Sequence, residues 1–105
     1  MTWEVEYFKE AEKDLVKFDH SQKLYILKAI EKVSQNPLPD YEGGYGKPLG
    51  NHNTARLAGY YKIKLLKLGV RIVYGLVRED EKMKIIVISV RDDEIVYKVA
   101  EKRVR

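Results

Sequence analysis

The sequence predicts an α+β fold: an N-terminal strand, an antiparallel helical hairpin, a mostly antiparallel β-meander sheet packed on the helices, and a short C-terminal helix. Three observations predict it. The chain opens with period-two alternation, continues through two amphipathic helical patterns, and from Thr54 onward strings together short runs rich in Val, Ile and Tyr. Helices are grouped early and strands late, so the class is α+β rather than alternating α/β. A chain of 105 residues can close one modest core but not two, so a single domain is expected over residues 1–105.

Each element has its own signal. In "TWEVEYF", Trp3, Val5 and Tyr7 alternate with Glu4 and Glu6, as in a half-buried strand. "KEAEKDLVKFD" then places Ala11, Leu15 and Phe18 on one helical face. Ser21 is the expected cap of the next helix, where Leu24, Leu27, Ile30 and Val33 form the expected buried stripe. Pro37 and Pro39 stop that helix at Asn36. "PLPDYEGGYGKPLGNHN" lacks periodicity and reads as a long loop beside a cleft. The strands follow: "TARLA", "YYKIKLL", a turn near "KLG", "VRIVYGLV", a polar turn at "REDEK", and "KIIVISV". "DDEIVYKVAEKRVR" is expected to start a short helix near Asp92 or Asp93 and to end in a frayed basic tail. One sheet face should pack on the two helices, leaving the other open.

Composition narrows the chemistry. No apolar run approaches the ~20 residues of a membrane span and no signal-peptide pattern is present, so a soluble, cytoplasmic protein is expected. The sequence has no cysteine, which excludes thiol nucleophiles and thiolate metal sites, and its two histidines, His20 and His52, are isolated surface candidates. No cofactor is expected. Net charge is +4, but its distribution is uneven. Between Gly43 and Arg78 there is no Asp or Glu, whereas Lys47, Arg56, Lys62, Lys64, Lys67, Arg71 and Arg78 are all basic. Such a single-sign block attracts polyanions and fits nucleic acid, although solubility alone could account for it.

The stretch "YYKIKLLKLGVRIVY" concentrates this field. With a turn centred on Lys67 and Leu68, Leu65 lies across from Val70, Lys64 across from Arg71, and Lys62 across from Val73. Alternation then puts Ile63, Leu65, Val70 and Ile72 on the core side and Lys62, Lys64 and Arg71 on the open side. Like charges facing one another across a sheet cost about 0.2–1 kcal/mol, by analogy with favourable pairs. Because nothing acidic in the stretch answers them, the expected counterion is a bound anion from outside the chain; the alternative, which fits Lys67 in the turn, is that the long side chains splay into solvent and the cost vanishes.

Together with "IIVISV", that hairpin resembles the RelE toxins of the RelE/ParE toxin–antitoxin superfamily, and the likeness covers nearly the whole chain. The resemblance implies a small α+β toxin that cleaves mRNA in the ribosomal A site and is held inactive by a cognate RelB-like antitoxin. The toxin alone would be a monomer, and would form a hetero-oligomer with the antitoxin. By motif, the family's strand lysines fall on Lys62 and Lys64, its next-strand arginine on Arg71, and its C-terminal arginine and tyrosine on Arg91 and Tyr97 within "RDDEIVY". Residues that usually separate the last strand from that arginine are missing here. Metal-independent cleavage by attack of the ribose 2′-OH on phosphorus needs positioning, a base, charge stabilisation and an acid. Lys64 is the candidate base, because like-charged neighbours ease the loss of its proton. Lys62 and Arg71 would hold the phosphate, Arg91 would stabilise or protonate the leaving oxygen, and Tyr97 would stack on a base. Read structurally instead, Tyr97 is a packing aromatic and Arg91 pairs with Asp92 or Glu94. The competing functions are a ParE-like DNA gyrase inhibitor and a non-catalytic RNA-binding module.

Overall fold

The computed structural model describes residues 2–49 and 59–104. The expected strand over 54–58, with His52 and Arg56, lies outside the described residues. The elements run β1 (Glu4–Tyr7), α1 (Lys9–Val16), α2 (His20–Ser34), a 3-10 turn (Asp40–Glu42), β2 (Lys47–Pro48), β3 (Tyr60–Leu65), β4 (Val70–Val77), β5 (Lys82–Ser89) and α3 (Asp93–Arg103). Among the described residues the strands form a five-stranded sheet in the order β1-β5-β4-β3-β2, in which only the β1–β5 pair is parallel. The α+β architecture is therefore the expected one. Over residues 37–49 the Pro/Gly segment is more regular than expected: it contributes the 3-10 turn and a short edge strand, whose Lys47 and Pro48 oppose Lys62 and Tyr61.

On one side of the sheet, Ala11 of α1 and Ile26, Ile30 and Val33 of α2 pack with Ile63, Leu65, Val70, Ile72, Tyr74, Met83, Ile85 and Ile88. The alternating Trp3, Val5 and Tyr7 of β1 pack against this cluster too. Two helix expectations need correction. Asp19, not Ser21, caps α2, accepting the Gln22 N–H at 2.8 Å while the Gln22 side chain accepts the Asp19 N–H at 3.0 Å. This reciprocal arrangement satisfies two helix-terminal donors at once. Leu24 and Leu27 are 47% and 39% exposed, because each three-residue step falls about 60° short of a full helical turn and a stripe built on it drifts around the helix. Ile26, Ile30 and Val33, spaced four and three, form the buried stripe instead.

The opposite side of the sheet is not left open. Val96, Tyr97 and Ala100 of α3 pack on Leu49, Val73, Ile86 and Val87, forming a second, smaller core. A β-bulge makes this possible. The β4–β5 register shifts between Val73 and Tyr74, so that Ile86 and Val87, adjacent in sequence, both turn toward α3 while Ile85 and Ile88 face the first core.

The C-terminal segment is helical to Arg103 rather than frayed, and its end is anchored. β1 pairs with β5 only as far as Ile85, which would leave the backbone of the following residues bare. Asp14 of α1 accepts the Ile88 N–H at 3.0 Å, and Arg103 donates to the Ile86 carbonyl at 2.8 Å. The two side chains also pair with each other at 2.7 and 3.2 Å. They thus take over the hydrogen bonding that the short β1 cannot supply.

Candidate anion site

β3 and β4 bring the three hairpin cations together as the alternation predicted. Lys64 is registered with Arg71, Lys62 with Val73 and Leu65 with Val70. Residues 66–69 form the turn: Leu68 N–H bonds to the Leu65 carbonyl at 3.1 Å, and Gly69 closes the loop at φ 67°. That left-handed conformation is one glycine adopts without steric cost. Lys67 lies in the turn with its ammonium 5.8 Å from the Tyr25 ring centroid, away from the shared face.

The expectation that the cations lack a counterion within the chain is overturned. Asp93, the first residue of α3, meets all three: one oxygen lies 2.5 Å from Arg71 Nε, and the other 3.6 Å from Lys62 Nζ and 3.5 Å from Lys64 Nζ. One carboxylate against three cations leaves the cluster net positive. Burial works against the charge of Asp93, but the Arg71 hydrogen bond and then the fields of Lys62, Lys64 and Arg71 outweigh it, holding its carboxyl below the usual range. For Lys62, burial alone would push the ammonium down; interaction with the Tyr97 side chain and then with Asp93 instead raises it above its ordinary value.

The broader basic block is also partly answered. Arg78 forms a two-pronged pair with Glu42 at 2.8 and 2.9 Å, so it contributes little to a field at the hairpin.

The two C-terminal candidates part company. Tyr97 joins the cluster from beneath, its ring centroid 5.7 Å from Lys62 Nζ, but it is only 3% exposed. In this arrangement it is a packing aromatic, and stacking on a base requires α3 to shift. Arg91 is exposed, and it lines a different cavity of about 430 Å³ with Asp14, Lys17, Phe18, Gln22 and Ile88. Its backbone N–H bonds to Ser89 Oγ at 3.1 Å. None of Lys62, Lys64 and Arg71 lines that cavity.

Asp93 escaped the sequence reading because three acidic residues opening a helix look like ordinary capping and dipole complementation. Only Asp92 has the capping role, accepting the Ile95 N–H at 3.0 Å. Asp14 did leave a signal, since it interrupts the apolar face of α1 between Ala11 and Phe18.

Known proteins share this fold. No family model matches the chain. A curated Escherichia coli protein described as RelE-like toxin is 28% identical over 109 aligned residues, spanning both chains in full. Among solved structures, a double mutant of E. coli toxin RelE in the free state superposes with a TM-score of 0.73 at 22% identity, covering both chains completely. The Mycobacterium tuberculosis RelBE2 toxin–antitoxin complex gives 0.68 at 21% identity, with 87% of this chain and 93% of that one covered. E. coli RelE bound to a peptide of its antitoxin also gives 0.68, at 21% identity and with 95% of each chain covered. The chain therefore has the RelE fold, and from end to end its sequence is similar to that of a RelE-like toxin.

Proposed function

We propose that this protein is the toxin of a type II toxin–antitoxin module and a ribosome-dependent endoribonuclease that cuts mRNA in the A site. One observation carries the reading: Lys62, Lys64 and Arg71 converge closely enough for a single carboxylate to touch all three. A cluster that holds one bridging anion can hold a phosphodiester, whose charge grows as the 2′-OH attacks. Lys62, held in its charged form, and Arg71 grip the phosphate. Lys64, within reach of the same anion position, takes the 2′-OH proton. The new P–O bond closes a 2′,3′-cyclic phosphate as the bond to the 5′-oxygen breaks. Arg91, exposed and close in sequence to α3, protonates or stabilises that leaving oxygen after rearrangement on the ribosome, and Tyr97 stacks on a base once uncovered. A RelB-like antitoxin is the proposed partner; E. coli RelE and M. tuberculosis RelBE2 have both been solved with antitoxins.

Expression without antitoxin, followed by mapping of mRNA ends on ribosomes, tests the reading. Growth should stop and translated mRNA should be cut within codons. Lys64→Ala or Arg71→Ala, in proteins that remain folded, should lower cleavage by at least a hundredfold, in keeping with the usual weight of acid–base and electrostatic groups. Full activity in both variants would refute the site. Intact mRNA with failing DNA supercoiling would replace the proposal with gyrase inhibition.

A further inference from the structure

The geometry points to Asp93 as the residue that sets how tightly the site takes RNA: it occupies the place of the substrate phosphate, which must displace it. Both its oxygens are engaged, one by Arg71 and the other by Lys62 and Lys64, so a phosphate gripped by Arg71 and Lys62 would need the same donors. No phosphate can approach all three cations while the carboxylate sits among them, since two anions would compete for the same donors.

The arrangement allows withdrawal. Asp93 is at the N-terminal end of α3, whose cap is supplied by Asp92, while Arg103 holds the far end to Asp14 and the Ile86 carbonyl. The first turn can therefore lift without detaching the helix.

This inference rests on the reading that the ligand is RNA phosphate, and two assays separate their failures. Binding is measured with a single-stranded, fully 2′-O-methylated RNA oligonucleotide, which cannot undergo 2′-OH attack, across a range of salt concentrations. Asp93→Asn and Asp93→Ala should each bind at least tenfold tighter than wild type at low salt, with a steeper loss of affinity as salt rises. Asp93→Glu, which keeps the charge, should stay near wild type. In ribosome-dependent cleavage, Asp93→Asn should lower KM without lowering kcat. Unchanged or weaker oligonucleotide binding by the Asn and Ala variants would overturn the inference, as would a drop in kcat at constant KM, which would make Asp93 part of the chemistry. A purely structural role cannot tighten binding. If binding tightens as expected while no variant cleaves mRNA, the phosphate competition stands and the nuclease reading falls.

Discussion

Arg103→Ala should destabilise the fold by about 2–4 kcal/mol, although the residue lies at the end of the last helix, where substitutions are usually tolerated. The guanidinium makes two hydrogen bonds to Asp14, at 2.7 and 3.2 Å, and one to the Ile86 carbonyl at 2.8 Å. Truncation leaves a buried carboxylate with the Ile88 N–H as its one remaining hydrogen-bond donor among the described residues, and strips the Ile86 carbonyl of its partner. Breaking a fully buried pair from one side costs roughly 3–5 kcal/mol, and a hydrogen bond to a charged group contributes about 1.5–3. The Arg103 side chain is 18% exposed, so water compensates in part and the estimate falls below that ceiling. Urea unfolding followed by circular dichroism at pH 7 measures the loss; in thermal scans it corresponds to a Tm drop of about 10–25 °C for a domain of this size. Asp14→Asn keeps an acceptor for the Ile88 N–H and removes the charge, and the double variant should fall short of additivity by about 1–3 kcal/mol. An Arg103→Ala loss within 0.5 kcal/mol of zero, or strict additivity, would refute the claim that this pair closes the bare edge of β5.

Two further outcomes follow from the site and the turns. Asp93 has its carboxyl lowered in the folded state, so its contribution to stability is complete above the ordinary carboxylate value near 3.8 and disappears as pH falls through the lower folded-state value. The Tm gap between wild type and Asp93→Asn should accordingly be constant from pH 6 down to about 4 and shrink below it; a gap that widens on acidification would contradict the ion pairing. The β4–β5 turn ends at Glu81, whose φ of 51° is the only positive value at a non-glycine among the described residues, where the β3–β4 turn has Gly69. Glu81→Gly should stabilise by about 0.5 kcal/mol and Gly69→Ala should destabilise by about 1 kcal/mol, both readable by urea unfolding; the opposite signs would show that the turns do not carry this backbone strain.

What was legible in the sequence is what periodicity and local chemistry control. The register of "YYKIKLLKLGVRIVY" was readable because turn residues and period-two alternation leave a hairpin few choices, and with it came the shared face of Lys62, Lys64 and Arg71. Asp93 lies 22 residues beyond Arg71, on an element whose docking surface exists only because a bulge turns Ile86 and Val87 the same way. No window of the sequence contains both halves of that contact. The same blindness left one sheet face open in the reading: Val96, Tyr97 and Ala100 could be seen as apolar, but not which surface they would cover. Arg91 and Tyr97 were assigned as a pair by motif spacing, yet one ends up at a different cavity and the other in the core. Spacing along a chain fixes a side chain's direction only while the intervening element is regular, and Arg91 lies in the irregular link between the end of β5 at Ser89 and the start of α3 at Asp93.

α3 therefore joins two properties that the sequence presents as separate. Its apolar face completes the second core, and its first residue neutralises part of the anion site. A helix with only the first property would be a fixed part of the fold, and one with only the second would be a mobile plug. The contacts are divided by position: Val96, Tyr97 and Ala100 bury apolar area along the middle, Arg103 locks the far end, and the near end rests on ion pairs whose partners gain equally from another anion. Ion pairs at a partly exposed site weaken with salt, whereas apolar burial does not. Raising the salt concentration should thus loosen the first turn of α3 selectively. Amide exchange at Val96 and Tyr97 would accelerate between low and high salt while that at Ile86 and Ile88 stays constant; equal acceleration at all four would mean that the helix and sheet open as one unit, with no separable first turn.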